Sequence, residues 1–561
     1  MYNIPRSMLG PDSEQPQRRS FASRSGAISQ RKAQMPHCFE IPEIMFHIFE
    51  HAYVSHKGRS DLVHLALTCK LFSGPALDVL WRIQTSLLPL VMTFPRELLN
   101  FAPSEQMAVA TFTIEKTPMV SHWRRPLQYA KRIRTIMPEH TFKGFGGLAV
   151  HKSVLQTLIQ SCPSKPVFPN LQELCHPTLC NIAIVDEATY TKSMFLLSPQ
   201  STLETLSFQY PSGRNAKDTR AFLTQFRNHF GSLESLRIFM DVIPVDITDF
   251  LSVFASIQNL RCFVLALGPG LSFTPKRKGL SLPNSSDAFF GLRSLGLHSF
   301  STPFILQLLK AIHTSQLQIV NIHLASRVSP DELSELLGSV MSLSGPQRSV
   351  RSMSLTATGY TSALQSIGDL LSLQHLRYLT LQNTGLILDD RKLDEMARAW
   401  PILQHLSITN DVPPSTTVHG TLKSLTSFSQ HCPYIESLEL RLNAREVSAL
   451  ANPVPTVRRA QGTKPLLLRI DIRSDIRDSA GVASFLLATF PGITVKLGGD
   501  SQMRDLQETS PWNRVAEIVD EALGRSPPEP ASPMGPRIMC MSYRDILPLS
   551  RLKLVFKSWR E

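Results

Sequence analysis

A short phrase, Leu-x-x-Leu-x-Leu, recurs along this chain, and within it apolar and polar positions alternate. It appears at Leu203, Leu206 and Phe208, at Leu233, Leu236 and Ile238, and at Leu292, Leu295 and Leu297. It returns at Leu376, Leu379 and Leu381, at Leu403, Leu406 and Ile408, and at Ile435, Leu438 and Leu440. Alternation with a period of two predicts half-buried strands. The phrases fall roughly 25–33 residues apart, a repeat length that leaves room for a helix in each unit. Helical spacing fills the intervals: Ile247, Phe250, Leu251 and Phe254; Ile305, Leu308, Leu309 and Ile312; Leu333, Leu336, Leu337 and Val340; Leu393, Met396, Ala397 and Trp400. Thr302-Pro303 and Ser329-Pro330 open two of these helices, and Pro401 closes a third. Strand and helix in alternation predict an α/β fold, a parallel sheet curved into a solenoid with strands on the concave face and helices on the convex one.

Ahead of the repeats the pattern changes. Three short helices are predicted, opening at Pro42, after Ser60 and at Pro75. Ile41, Ile44, Met45, Ile48, Phe49 and Ala52 form one apolar stripe, with Phe46 outside it. Leu62, Leu65, Ala66 and Cys69 form one face of the second helix, and Val63, Leu67 and Leu71 another. A unit of about 45 residues supports only a small core. Phe46, Val63, Leu67, Leu77 and Trp81 are left over, either as an interface or as a surface packed on the rest of the chain.

The order Ile41-Pro42-Glu43-Ile44, Ile48-Phe49, Asp61-Leu62, Leu65-Ala66, Cys69-Lys70, Phe72, Ala76-Leu77 and Leu80-Trp81 resembles an F-box. The resemblance implies a three-helix module that docks on the Skp-type linker subunit of a cullin–RING ubiquitin ligase. By position it places docking on Ile41, Pro42, Ile44, Ile48, Leu62, Leu65, Cys69, Phe72, Leu80 and Trp81. The chain departs from the pattern in a shorter first helix near Pro42-Glu43, a long loop from Tyr53 to Ser60, and Phe72 where the family carries Trp. The later phrases resemble degenerate leucine-rich repeats. The expected organisation is a disordered tail over 1–36, the F-box over 37–84, a bridging helical region or first repeat over 85–165 and the solenoid over 166–500. A capping helix over 501–524 and a linker with tail over 525–561 complete it.

Composition narrows the function classes. The chain of 561 residues has a net charge of +13, but its basic residues are spread out, and the densest run, Lys276-Arg277-Lys278, sits in a Pro/Gly-rich stretch. Nucleic acid is therefore an unfavoured partner. No apolar run of membrane-spanning length and no secretory signal are read, and the scattered cysteines fit a cytoplasmic or nuclear protein. Walker, nucleophile-elbow, zincin and dinucleotide motifs are missing, and Gly144-Phe145-Gly146-Gly147 lacks the Lys-Ser/Thr of a phosphate loop. Cys175-His176 and Cys180 lack a second ligand pair, so neither metal nor cofactor is expected.

The remaining candidate is the polar face of the repeats. Arg237, His298, His323, Tyr378, His405, Arg441, Arg469 and Arg473 fall on the alternate positions that point away from the leucines. Arg and His suit carboxylate or phosphate groups, and exposed Tyr and Arg are common interface anchors. The sequence thus reads as a non-catalytic adaptor that holds an unknown client protein, with a scaffold lacking any ligase role as the alternative.

Overall fold

The computed structural model describes residues 41–54, 58–103, 110–137, 148–150, 152–175, 202–210, 216–240, 247–268, 288–312, 316–325, 328–343, 349–357, 367–410, 419–446, 464–471, 474–498 and 510–525. The expectations for the N-terminal tail, the Gly144 loop, the basic run at Lys276 and the C-terminal tail lie outside these residues. The chain divides into two compact units between Leu80 and Trp81.

The first unit is helical. Helix α1 spans Pro42–Val54, α2 Gly58–Thr68 and α3 Lys70–Arg82. Its core is Met45, Phe49, Leu62, Ala76 and Val79, with Phe46, Leu65, Phe72 and Leu80 packed around it. Three expectations are corrected here. Helix α2 begins at Gly58, so Ser60 lies inside its first turn and does not cap it. Helix α3 begins at Lys70 and runs through Pro75 rather than starting at it. Pro75 removes one backbone bond, but an unbroken helix keeps Phe72, Ala76 and Val79 on one face, where Phe72 meets the Phe49 ring edge-on at 5.8 Å. Phe46 is not left over: it packs against this core, because α1 turns Met45 and Phe49 inward. The i, i+3, i+7 line of Ile41, Ile44 and Ile48 faces solvent instead.

The second unit is built on a sheet that has fourteen strands among the described residues, in chain order throughout. They are β1 Ile83–Gln84, β2 Thr135–Ile136, β3 Glu173–Cys175, β4 Thr205–Tyr210, β5 Ser235–Met240, β6 Cys262–Leu267 and β7 Ser294–Phe300. The series continues with β8 Ile319–Leu324, β9 Ser352–Ala357, β10 Tyr378–Gln382, β11 His405–Thr409, β12 Ser437–Leu440, β13 Leu467–Asp471 and β14 Thr494–Gly498. Every pairing is parallel. This sheet and its intervening helices fit a leucine-rich-repeat solenoid. The region expected as a helical bridge also holds a small sheet, Leu99–Pro103 and Ala110–Ile114 antiparallel with Leu148–Val150 alongside.

Register explains the phrase. Leu206, Leu236, Phe263, Leu295, Val320, Met353, Leu379, Leu406 and Leu438 stand side by side from strand to strand, and each is fully or almost fully buried. In several phrases the first leucine closes a turn onto the residue three before it: the amide of Leu260 donates to Ile257, Leu292 to Phe289, Leu376 to Leu373 and Leu403 to Trp400. The next residue has a carbonyl that accepts two amides from the following strand, as Arg261 does from Arg293 at 2.8 Å and Ser294 at 2.9 Å. The same double bond recurs at Glu204, Glu234, Arg293, Gln318, Arg351, Arg377 and Gln404. These repeated bonds hold the strand starts level.

The helices cover the leucine face. Thr302–Ala311, Pro330–Leu343 and Asp390–Ala399 bury the side chains expected from their spacing. Ser329 and Glu332 form a reciprocal capping box at 3.2 Å and 2.9 Å, and Asp389 caps the amide of Lys392 at 2.7 Å. At the far end, the helix Pro511–Ala522 buries Trp512, Val515 and Val519, and the Trp512 indole N–H donates to the Ser474 carbonyl at 3.0 Å. Arg525 then donates to the carbonyls of Gly492 and Ile493 at 2.9 Å each. The last repeat thereby gains a polar outer layer, as a solenoid end requires.

Candidate functional site

Two surfaces carry the expected site residues. In the first unit, Ile41, Ile44 and Ile48 are 44%, 38% and 42% exposed, and Val63, Leu67 and Leu71 are exposed on the neighbouring helices. With Val54 at the end of α1, a helical unit this small, whose core is made from other residues, keeps seven large aliphatic side chains in water. Pro42 is exposed beside them, Leu65, Cys69 and Phe72 are half-buried, and Leu62 is fully enclosed in the core. Leu80 packs on that core. Trp81 stacks on Tyr129, rings 4.3 Å apart, and so belongs to the second unit. The expected docking set therefore separates into an exposed strip on α1 and a group that holds the fold.

The second surface is the face of the sheet opposite the leucines. Arg237, His298, His323, Tyr378, His405, Arg441 and Arg469 all lie on it, and Arg473 is outside the described residues. They form three groups. Arg237 stands in the row that continues through Val264, Gly296 and Asn321. His298 and His323 are paired in register one position further along, with ring centroids 6.4 Å apart and planes 23° from parallel. Tyr378 and His405 are opposite each other on β10 and β11. Arg469 lies opposite Glu439, which accepts the Ser407 hydroxyl at 2.7 Å, and Arg441 follows β12.

The first group departs from a plain solvated face. All six residues of β6 are buried, including Cys262, Val264 and Ala266 on the side expected to be polar, and His298 is only 5% exposed. Gly296 makes the room: a Cβ there would lie 3.0 Å from a Val264 methyl and 3.4 Å from His298 Nε2. The ring of His298 thus leans across the glycine. Both its nitrogens, His323 Nδ1 and Arg237 Nε are buried without a hydrogen-bond partner. Burial, reinforced by His323 and the Arg237 charge, pushes the His298 pKa down to about 4, and burial lowers that of His323 as well. Both imidazoles are therefore neutral at neutral pH, and Arg237 is the cation of the group. From Thr205 to Thr409 no alternate position on this face is acidic; carboxylates flank this stretch at Glu173 on one side and at Glu439 and Asp471 on the other.

No metal-binding group of three ligands occurs among the described residues. Cys175 forms no disulfide, and the other two members of its sequence cluster lie outside the described residues. Cys432 is sealed in the core with its thiol pushed up to about 12 by burial, which makes it a packing residue. Among the described residues no helix is long and apolar enough to cross a membrane. A further row, not marked by the leucine spacing, follows the first leucine of each phrase, with Arg at four of five consecutive repeats: Arg261, Arg293, Arg351 and Arg377, with Gln318 between.

No family model and no curated protein matches this chain. Among solved structures it is similar to the crystal structure of the Rad7 and Elc1 complex in yeast, at 16% identity, over 62% of this chain and 79% of that one, with a TM-score of 0.36. A likeness of that size carries no argument about function.

Proposed function

We propose that this protein is a non-catalytic client adaptor of a cullin–RING ubiquitin ligase. The first unit docks on the Skp-type linker, and the repeat sheet holds a client protein. The observation that supports it best is the water-exposed line of Ile41, Ile44 and Ile48 on a helical unit whose sequence resembles an F-box. Exposed aliphatic side chains in a row lose free energy in water and recover it on burial, at about 25 cal/mol per Å². The work of such an adaptor is proximity: it raises the effective concentration of client lysines near an enzyme bound elsewhere in the assembly, and asks no covalent chemistry of its own residues. On this reading the protein works in the cytoplasm, the nucleus or both.

Calorimetric titration with the linker tests the reading. The double variant Ile44→Lys, Ile48→Lys changes exposed residues only, so it keeps the fold. Micromolar or tighter binding by the wild type, lost in that variant, supports the adaptor. A wild type that is folded and does not bind overturns it in favour of an interaction scaffold without a ligase role.

A further inference from the structure

The row Arg261, Arg293, Gln318, Arg351 and Arg377 lies at the strand starts, one step before the paired positions of β6 to β10. Each of these residues shares its carbonyl between two amides of the following repeat, so the backbone fixes their spacing. Neighbouring strands are about 4.8 Å apart, so the row spans roughly 19 Å. Arg261, Arg351 and Arg377 are exposed, and Arg293 is half-buried. Arg261 has a loose, solvated ion pair with Glu234 at 3.7 Å, while Arg293 and Arg377 have no carboxylate partner among the described residues. Like charges held in register on neighbouring strands oppose folding.

The row also ends abruptly. Glu204 and Glu234 occupy the same position on the preceding repeats, and Gln404 and Glu436 on the following ones. A positive window bounded by acid on both sides suits a short anionic stretch. It disfavours a long polyanion, whose charge would continue over the glutamates. In extended form about six residues at about 3.3 Å each cover the window. Gln318, uncharged and half-buried, sits in the middle of the row.

We propose that this strand-start rim docks a short acidic segment of a client polypeptide across repeats β6 to β10, with the arginines on its carboxylates. The inference rests on the client-holding part of the proposed function and is independent of linker docking.

The test uses the full chain and a fluorescent peptide of about six glutamates flanked by lysines, read by anisotropy at low and moderate salt. The rim variant is Arg293→Gln, Arg351→Gln, Arg377→Gln. A control with the same charge change is Arg124→Gln, Arg125→Gln, Lys131→Gln, which alters exposed residues elsewhere. The wild type and the control are expected to bind alike, and the rim variant at least about tenfold more weakly. Equal weakening in both variants would reduce the effect to net charge and overturn the proposal. So would tighter, rim-dependent binding of a single-stranded DNA of about twenty nucleotides, which would mark a nucleic-acid surface. Linker titration of the same rim variant is expected to match wild type, so failure of the rim and failure of the adaptor reading are told apart.

Discussion

His298 and His323 lie face to face on adjacent parallel strands, 6.4 Å between ring centroids, and both His298 nitrogens are buried without a partner. Arg237 adds a positive charge to the pair from two strands away. The cluster is thus stable only while His298 is neutral. With a native pKa near 4 and an unfolded value of 6.5, the unfolded chain binds the extra proton first as pH falls. Stability from this residue is whole above pH 6.5 and is lost progressively toward pH 4, by an amount on the order of 3 kcal/mol. Urea melts across that range are expected to show a slope that His298→Leu flattens. An unchanged slope in the variant would mean that the ring is hydrated or paired.

Gly296 sets the position of that ring. Gly296→Ala places a methyl 3.0 Å from Val264 and 3.4 Å from His298 Nε2, with no backbone atom in the way. Side chains must shift by a few tenths of an ångström, so the fold is expected to survive with about 1 kcal/mol lost. The His298 titration is expected to move upward as the ring is displaced toward water, followed by imidazole NMR. A titration identical to wild type would show that the glycine does not govern the ring.

The C-terminal helix closes the last repeat through Trp512 and Arg525. Trp512→Ala empties a fully buried site and is expected to cost about 3–5 kcal/mol. In a solenoid the loss should concentrate at the end, so amide exchange over β13 and β14 is expected to rise while β6 to β8 stay protected. Uniform loss of protection would argue for one cooperative block instead.

The sheet was legible because its signal is repeated. Leu236, Leu295, Leu379 and Leu406 obey one spacing, and each is a register partner of the next repeat's equivalent. The first unit was less legible, since Ile44 and Met45 are equally apolar in sequence and only the packing of three helices decides that Met45 turns inward and Ile44 outward. Pro75 misled for a related reason: a local break signal was outweighed by the shared burial of Phe72, Ala76 and Val79. The neutral state of His298 follows from Gly296, Val264 and Arg237 on three different strands, which no single repeat reveals. The arginine row is written in the phrases but carries no periodic hydrophobic signal, and only the register of neighbouring strands brings its members side by side.

If, as proposed, the α1 strip docks the linker, amide and side-chain protection report it most directly. Hydrogen exchange of the full chain would be followed by mass spectrometry with and without saturating Skp-type linker, alongside oxidative footprinting of exposed side chains. New protection is expected to be confined to Ile41–Phe49 and Val63–Leu71, with the repeat sheet unchanged. Protection on the sheet, or none at all with the linker in excess, would contradict it.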